Sequence, residues 1–396
     1  MNDSIAANTG IIDIADVSLT FPTLPDWTVD RENNLQTIEQ IFERDHELIL
    51  LDGGEGSGKT FALALFCRRH ATAAFSIFIK PASDLAYDAA YCRMDLCNQI
   101  QWHLTGKTLD DSHYPSPATY RSLVHRLSND ARRRRRQYYF VIDGIADIPN
   151  AASGAKQALI EQLPLGLPGI KFLMTGNLKR MPELSEKRIK LREQDISPFS
   201  LEETQRLFAG INVDSQSVID LHKRFSKTPG KLASARRIYD QASSGDVAIS
   251  RIEDPDRDIL TIEWDLSEIK NENIRRSVAA LAFIPNVADL STLAKISEIP
   301  LGQIGSDLAQ LPYLVVDSNR ERVSFASEGL RAIAKKNLIN LESDVLERCV
   351  RTFNSRPVDL FTAQVLPELL ERQGDPSALF HFLSRDNMAA LFLATN

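Results

Sequence analysis

Short apolar runs alternate with longer stretches of helical periodicity through the first half of the chain. Glu47–Asp52 (ELILLD), Phe75–Lys80 (FSIFIK), Tyr138–Asp143 (YYFVID) and Ile170–Gly176 (IKFLMTG) are continuous rather than alternating. That is the pattern of strands buried on both faces of a parallel sheet. Between them the spacing predicts helices over Asn34–Arg44, with Leu35, Ile38, Ile41 and Phe42 on one face, and over Tyr87–Leu104, Thr119–Arg135 and Ala152–Leu163. Strand–helix alternation of this kind specifies an α/β domain. The apolar face of 87–104, with Trp102 and His103 on it or beside it, reads as packing against the sheet.

After Pro198 the apolar runs stop. Leu201–Phe208, Ser215–Phe225 and Lys231–Ala242 read as a helical subdomain, and the polar stretch Ser243–Arg257, with Gly245 and Pro255, as a linker. A second unit from about Leu260 to Asn337 shows helices near Asn273–Ala282, Leu290–Ile296 and Leu301–Leu311. A hairpin, YLVVDSNRERVSFA, follows and turns at Asp317-Ser318-Asn319. Three helices followed by a hairpin is the order of a winged helix. From Leu341 the pattern is helical, and LFLATN ends it without a polar cap, as in a helical array that continues further. The first 20 or so residues are of mixed polarity and are expected to be loose.

Composition narrows the class. At 43% hydrophobic and 25% charged residues over 396 positions, the chain is that of a globular protein. No run of eighteen apolar residues and no basic-then-apolar leader over Met1–Asp30 is present, which predicts a cytoplasmic protein without a membrane partner. Cys67, Cys92, Cys97 and Cys349 lack metal spacing and read as small buried hydrophobes. The seven histidines show no ligand pairing, and no nucleophile elbow occurs. A net charge of −7 removes any global electrostatic case for nucleic acid. Arg132–Arg136 are the local exception. Cations at a helix C-terminus complement its dipole, so a solvated helix end is the preferred reading and a phosphate-binding patch the alternative.

The chemistry centres on Gly53-Gly54-Glu55-Gly56-Ser57-Gly58-Lys59-Thr60, a full G-x-x-x-x-G-K-[ST] match placed directly after a strand and opening a helix. The glycines let backbone N–H groups converge on phosphate oxygens, and the helix N-terminus adds positive potential. Lys59 is expected to reach the β- and γ-phosphates of ATP, and the Thr60 hydroxyl to ligate magnesium. Asp143 ends the strand YYFVID, where a second acidic group is needed to hold the metal through water. Asp147, four residues on, is the candidate to polarise the attacking water. Asn177, at the tip of the next strand, is the candidate to sense the γ-phosphate, although Thr and Asn are also ordinary turn residues there.

Taken in order, the P-loop, FVIDGIAD, FLMTGN, ISPFSLEETQRLF, TPGKL and the winged-helix pattern resemble the STAND class of signal-transducing NTPases, with its NACHT and NB-ARC branches, within the wider AAA+ relationship. The resemblance covers roughly Asp26 to Leu338. It implies a fold of class α/β: a P-loop parallel-sheet domain (27–197) after a tail (1–26), then a helical lid (198–243), a winged-helix domain (258–338) and a repeat-like helical region (341–396). It places Val29 and Arg31, in WTVDRENNLQTI, near adenine, and Pro229, in TPGKL, against it. Two departures stand out. Asn177 occupies the position where STAND proteins often carry an Arg, and VSFASEGLR offers Ser327, Glu328 and Arg331 but no His for holding ADP.

The resemblance implies a slow, regulatory ATPase that alternates between ATP and ADP states and oligomerises or changes conformation on sensing a ligand, as in bacterial defence or signalling. Self-association or a partner effector protein is expected; since no effector domain fits before Trp27, the output would come from a C-terminal continuation, a partner chain or the winged helix. The alternative is a DNA-associated AAA+ ATPase of the origin-recognition or helicase-loader kind, which Asn177 and the lid arginines Arg236 and Arg237 favour. Against it, Leu301–Leu311 carries no Lys or Arg to enter a groove. A third reading, a scaffold that binds nucleotide without turnover, is disfavoured by the intact Lys59, Thr60 and Asp143.

Overall fold

The computed structural model describes residues 14–79, 87–109, 115–241, 252, 258–265, 269–284, 289–317, 321–355 and 360–384. The predicted linker 243–257 lies outside them except at Ile252, as do Lys80, the turn residues Ser318 and Asn319, and the closing LFLATN.

Five strands, β1 (Leu48–Asp52), β2 (Ala74–Phe78), β3 (Tyr138–Asp143), β4 (Ile170–Thr175) and β5 (Leu191–Asp195), form one sheet in the order β2-β3-β4-β1-β5. Every pairing is parallel. The first four are the predicted apolar runs. The fifth was not predicted, because LREQD carries no apolar run: β5 pairs only with β1, at the sheet edge, and leaves Arg192 and Glu193 exposed. Charged side chains on an edge strand keep it from recruiting another strand.

Helices α1 (Ile14–Val17), α2 (Glu32–Glu43), α3 (Lys59–Arg69), α4 (Ala89–Thr105), α5 (Pro117–Arg134) and α6 (Ser153–Gln162) accompany the sheet. Alternate strand residues face opposite sides, so two apolar layers form. Leu48, Leu50, Phe75, Phe140 and Phe172 pack with Leu96 of α4 and Leu127 of α5. Ile49, Leu51, Val141 and Leu173 pack with Ile38 and Phe42 of α2 and Leu63 and Phe66 of α3. The expected loose N-terminus is packed from Ile14 onward. Ile14, Phe21 and Leu24 are buried, and the wholly buried Asp95 of α4 accepts hydrogen bonds from Ser18 Oγ (3.2 Å), the Leu19 amide (3.0 Å) and Thr20 Oγ1 (2.9 Å). A buried carboxyl requires such partners; Gln99, one turn on, donates to it as well at 2.8 Å, but the three N-terminal partners lie 75 or more residues away, beyond local pattern reading.

The segment read as a lid comprises α7 (Leu201–Leu207), α8 (Ser215–Arg224) and α9 (Pro229–Gln241) around Leu207, Leu221, Leu232 and Ile238. Ser200 and Glu203 cap α7 reciprocally. Beyond it come helices Ile259–Asp265, Glu272–Phe283, Leu290–Ser297 and Leu301–Ala309, the antiparallel hairpin Leu314–Asp317/Arg322–Phe325, and helix Glu328–Asn337. The helices Glu342–Asn354, Leu360–Gln373 and Pro376–Phe382 share their core. One apolar cluster runs from Trp264 to Phe382, so packing does not divide at Leu341.

Candidate functional site

Because β1 neighbours β4 rather than β2, the connections leave β1 and β4 on opposite sides of the sheet, opening a crevice at the strands' C-terminal ends. This is where α/β sheets bind ligands. The candidate residues meet there. The P-loop runs from the end of β1 into α3, which Gly58 opens at φ +88°, a left-handed conformation that glycine adopts without strain. A Cβ on Gly58 would also stand 3.1 Å from Arg31 Nη1. Glu55 is exposed, and Ser57 is half-buried. Lys59 Nζ donates to the Gly53 carbonyl (2.5 Å) and the Gly54 carbonyl (3.1 Å), so the ammonium is drawn over its own loop.

Thr60 Oγ1 donates to Asp143 Oδ2 at 2.6 Å, joining the start of α3 to the end of β3. The other carboxylate oxygen accepts from Thr175 Oγ1 at 2.7 Å, and Thr175 in turn accepts from the Gly144 amide at 3.0 Å. Burial pushes the Asp143 carboxyl above the usual carboxylate range, against the pull of these two hydroxyls. A hydroxyl and a carboxylate converging in this way form an oxygen donor set that suits magnesium, a hard cation. Thr60 would hold it directly and Asp143 through water. Among the described residues no cluster of three or more His, Cys, Asp or Glu offers a metal site of another kind.

Asn177 Nδ2 donates to Asp52 Oδ2 at 2.8 Å, and this bond, followed by the Gly53 amide, holds Asp52 below the ordinary carboxylate range. Asp147 lies in a short turn after β3 (Ile145–Asp147), half-exposed and paired with Arg180 at 2.7 Å. Asp52 and Arg180 were missed in the sequence. Asp52 is simply the last residue of a strand, and Arg180 stands three places beyond Asn177, outside the motif position where an Arg was sought.

Arg31 is 2% exposed at the join between P-loop and lid. It donates from Nη1 to the Ser57 carbonyl (3.5 Å) and from Nη2 to the Ser197 carbonyl, pairs with Glu203 of α7 (3.4 Å) and lies over the Phe199 ring. Val29 is buried in the lid cluster with Phe199 and Leu207. Pro229 opens α9 with its ring 3.5 Å from the position a Gly58 Cβ would take. Next to it the Gly230 amide donates to the Gly56 carbonyl at 2.8 Å. The two backbones are so close that a Cβ on Gly230 would lie 3.0 Å from Gly56 Cα.

The lid arginines are engaged elsewhere. Arg236 lies over the Trp27 ring, 4.9 Å from its centroid. Arg237 holds the fully buried Glu263 of helix Ile259–Asp265 through Nε and Nη2, the latter at 3.1 Å. Ser327 caps helix Glu328–Asn337, and the buried Arg331 donates to the Ala282 carbonyl at 3.0 Å and pairs with Glu328. All three therefore serve the unit that carries them.

No family model matches the sequence, and no curated protein does. Solved structures do. The signal transduction ATPase with numerous domains (STAND) protein with a tetratricopeptide repeat sensor from Pyrococcus horikoshii matches 94% of this chain at 11% identity and a TM-score of 0.59. The fold is that of the P-loop ATPases. This chain spans 51% of that relative's length. A Walker-type ATPase of Pyrococcus abyssi matches over 81% of this chain and 99% of its own, at 16% identity and a TM-score of 0.45. The ORC2 protein of Aeropyrum pernix matches over 83% of this chain and 98% of its own, at 13% identity and a TM-score of 0.41. Of these three only the first exceeds a TM-score of 0.5, and at 11% identity it speaks for the fold alone. No helix among the described residues is long and apolar enough to cross a membrane.

Proposed function

We propose that this chain binds ATP with magnesium at the P-loop, hydrolyses it slowly, and acts as a STAND-type switch in which the lid reads the state of the phosphate loop. The observation that carries the proposal is the bond from the Gly230 amide to the Gly56 carbonyl. Because the lid rests on the loop that grips phosphate, rearrangement of that loop acts directly on α9. Arg31 strengthens the coupling by holding Ser57 and Glu203 with one buried guanidinium.

In this reading Lys59 leaves the Gly53 and Gly54 carbonyls for the β- and γ-phosphates, and the glycine amides surround them. Thr60 and Asp143 would hold magnesium, which would supply neutralisation of phosphate charge when bound, and Thr175 keeps Asp143 aimed. Asp147 is the candidate base for the attacking water, with its carboxylate paired to Arg180. Asn177, tied to Asp52, orients the γ-phosphate end of the site. Val29, Arg31 and Pro229 would border adenine. Support from the Pyrococcus horikoshii STAND protein is of fold only, and the ligand sensor of this chain, its self-association or partner effector, and a role in defence are part of the proposal.

The DNA-associated alternative retains Asn177 in its favour. Arg236 and Arg237 no longer support it, since they are directed to Trp27 and Glu263. Size-exclusion chromatography with light scattering, run without nucleotide, with ATP and magnesium, and with ADP, tests the switch. A different assembly or hydrodynamic radius is expected with ATP. Identical profiles in all three states would overturn it.

A further inference from the structure

The run Arg132–Arg136 has no part in the P-loop site, and it borders a cavity at the other end of the sheet. The cavity measures about 400 Å³ and lies where the C-terminal ends of α4 and α5 meet the start of β3, whereas Asp143 marks the opposite end of that strand. Its charged lining is Arg126, Arg133, Arg134 and Arg136 against one carboxylate, Asp130. Four cations less one anion leave a formal excess of three positive charges.

Asp130 is directed inward, its side chain only 6% exposed. It pairs with Arg133 (2.9 Å), Arg134 (2.9 Å) and Arg136 (3.5 Å), and accepts from Tyr138 Oη at 2.6 Å. One carboxylate cannot satisfy three guanidiniums with five N–H donors each. Arg136 Nε is buried without a hydrogen-bond partner, and Arg126 has no acidic partner among the described residues. A helix C-terminus needs about half a unit of compensating charge, far less than this cluster supplies. His103 hydrogen-bonds Tyr138 Oη at 2.8 Å, and burial, followed by the charge of Arg136, pushes its imidazole down to about 4. At neutral pH it is therefore an uncharged hydrogen-bonding group beside the arginines. Asp130 holds Arg133, Arg134 and Arg136, and Tyr138 holds Arg136, before any ligand arrives, which lowers the ordering cost of binding for these three.

We propose that this cavity is a second anion site, independent of the P-loop, that takes a small ligand bearing one or two phosphate groups. Its volume is that of a small-molecule pocket. A duplex would require a basic stripe longer than this one cavity, whose lining carries four arginines.

Calorimetric titration of inorganic pyrophosphate into the full chain carrying Lys59→Ala separates this site from the P-loop. One pyrophosphate per chain is expected to bind, more weakly as salt rises. Adding Arg126→Gln with Arg133→Gln, both on exposed side chains, should weaken binding by about tenfold or more. Arg121→Gln, on α5 but outside the cavity, should not change it. Absence of binding to the Lys59→Ala chain, or binding unmoved by the arginine pair, would overturn the proposal. So would binding of a roughly 20-base-pair DNA duplex through the same arginines while pyrophosphate fails to bind, since the site would then read a polymer.

Discussion

Single polar side chains at the two ends of the sheet differ in how firmly their surroundings hold them. Lys59 and Thr60 sit at an open loop, ready to exchange protein partners for a ligand, whereas His103 is locked against Tyr138 and Arg136. His103 has a measurable signature. Its folded value of about 4 lies below the ordinary 6.5, so as pH falls the unfolded chain takes up this proton first. Stability from this group is therefore full above about pH 6.5, declines as pH falls toward 4, and is flat below that. Melting temperature followed from pH 7 to pH 4 in the wild type and in His103→Gln should show a shallower fall for the variant. Parallel curves would mean that His103 titrates normally.

At the scale of elements, legibility followed the local signal. Strands β1 to β4 could be read because both faces of each are buried, which forces continuous apolar runs. LREQD could not, because an edge strand's side chains answer to solvent and its pairing with β1 is set by backbone bonds. The P-loop, Thr60 and Asp143 were readable because phosphate chemistry fixes residue type and spacing together. Asp52 and Arg180 were not, because their roles depend on Asn177 and Asp147 arriving from other strand ends. The TPGKL motif was read as bordering adenine, while its contact with Gly56 emerged only once α9 was in place. Gly230→Ala tests that contact. Its new Cβ would press on the Gly56 backbone, which has no side chain to yield, so a loss of about 1–3 kcal/mol is expected in chemical denaturation. Hydrogen exchange should also quicken in the first turn of α9. Unchanged stability and exchange would show that the lid does not bear on the loop.

Across the whole molecule, contacts distant in sequence tie the parts to one another. Thr23 donates to Asp317 at 3.3 Å and Arg322 to the Leu19 carbonyl, linking the N-terminal segment to the hairpin. Arg237 links lid to the following unit through Glu263, and Gly230 links lid to P-loop. A change at the phosphate loop thus has a continuous path of contacts to the hairpin. That path is structural, and coupling along it is what the chromatographic comparison reads. All of it presupposes that phosphate is gripped at Lys59. ATP affinity, measured with magnesium for the wild type and for Lys59→Ala, tests this most directly. Loss of one charge-assisted contact to phosphate should weaken binding by roughly 10- to 100-fold. Equal affinity in the two proteins would contradict the account.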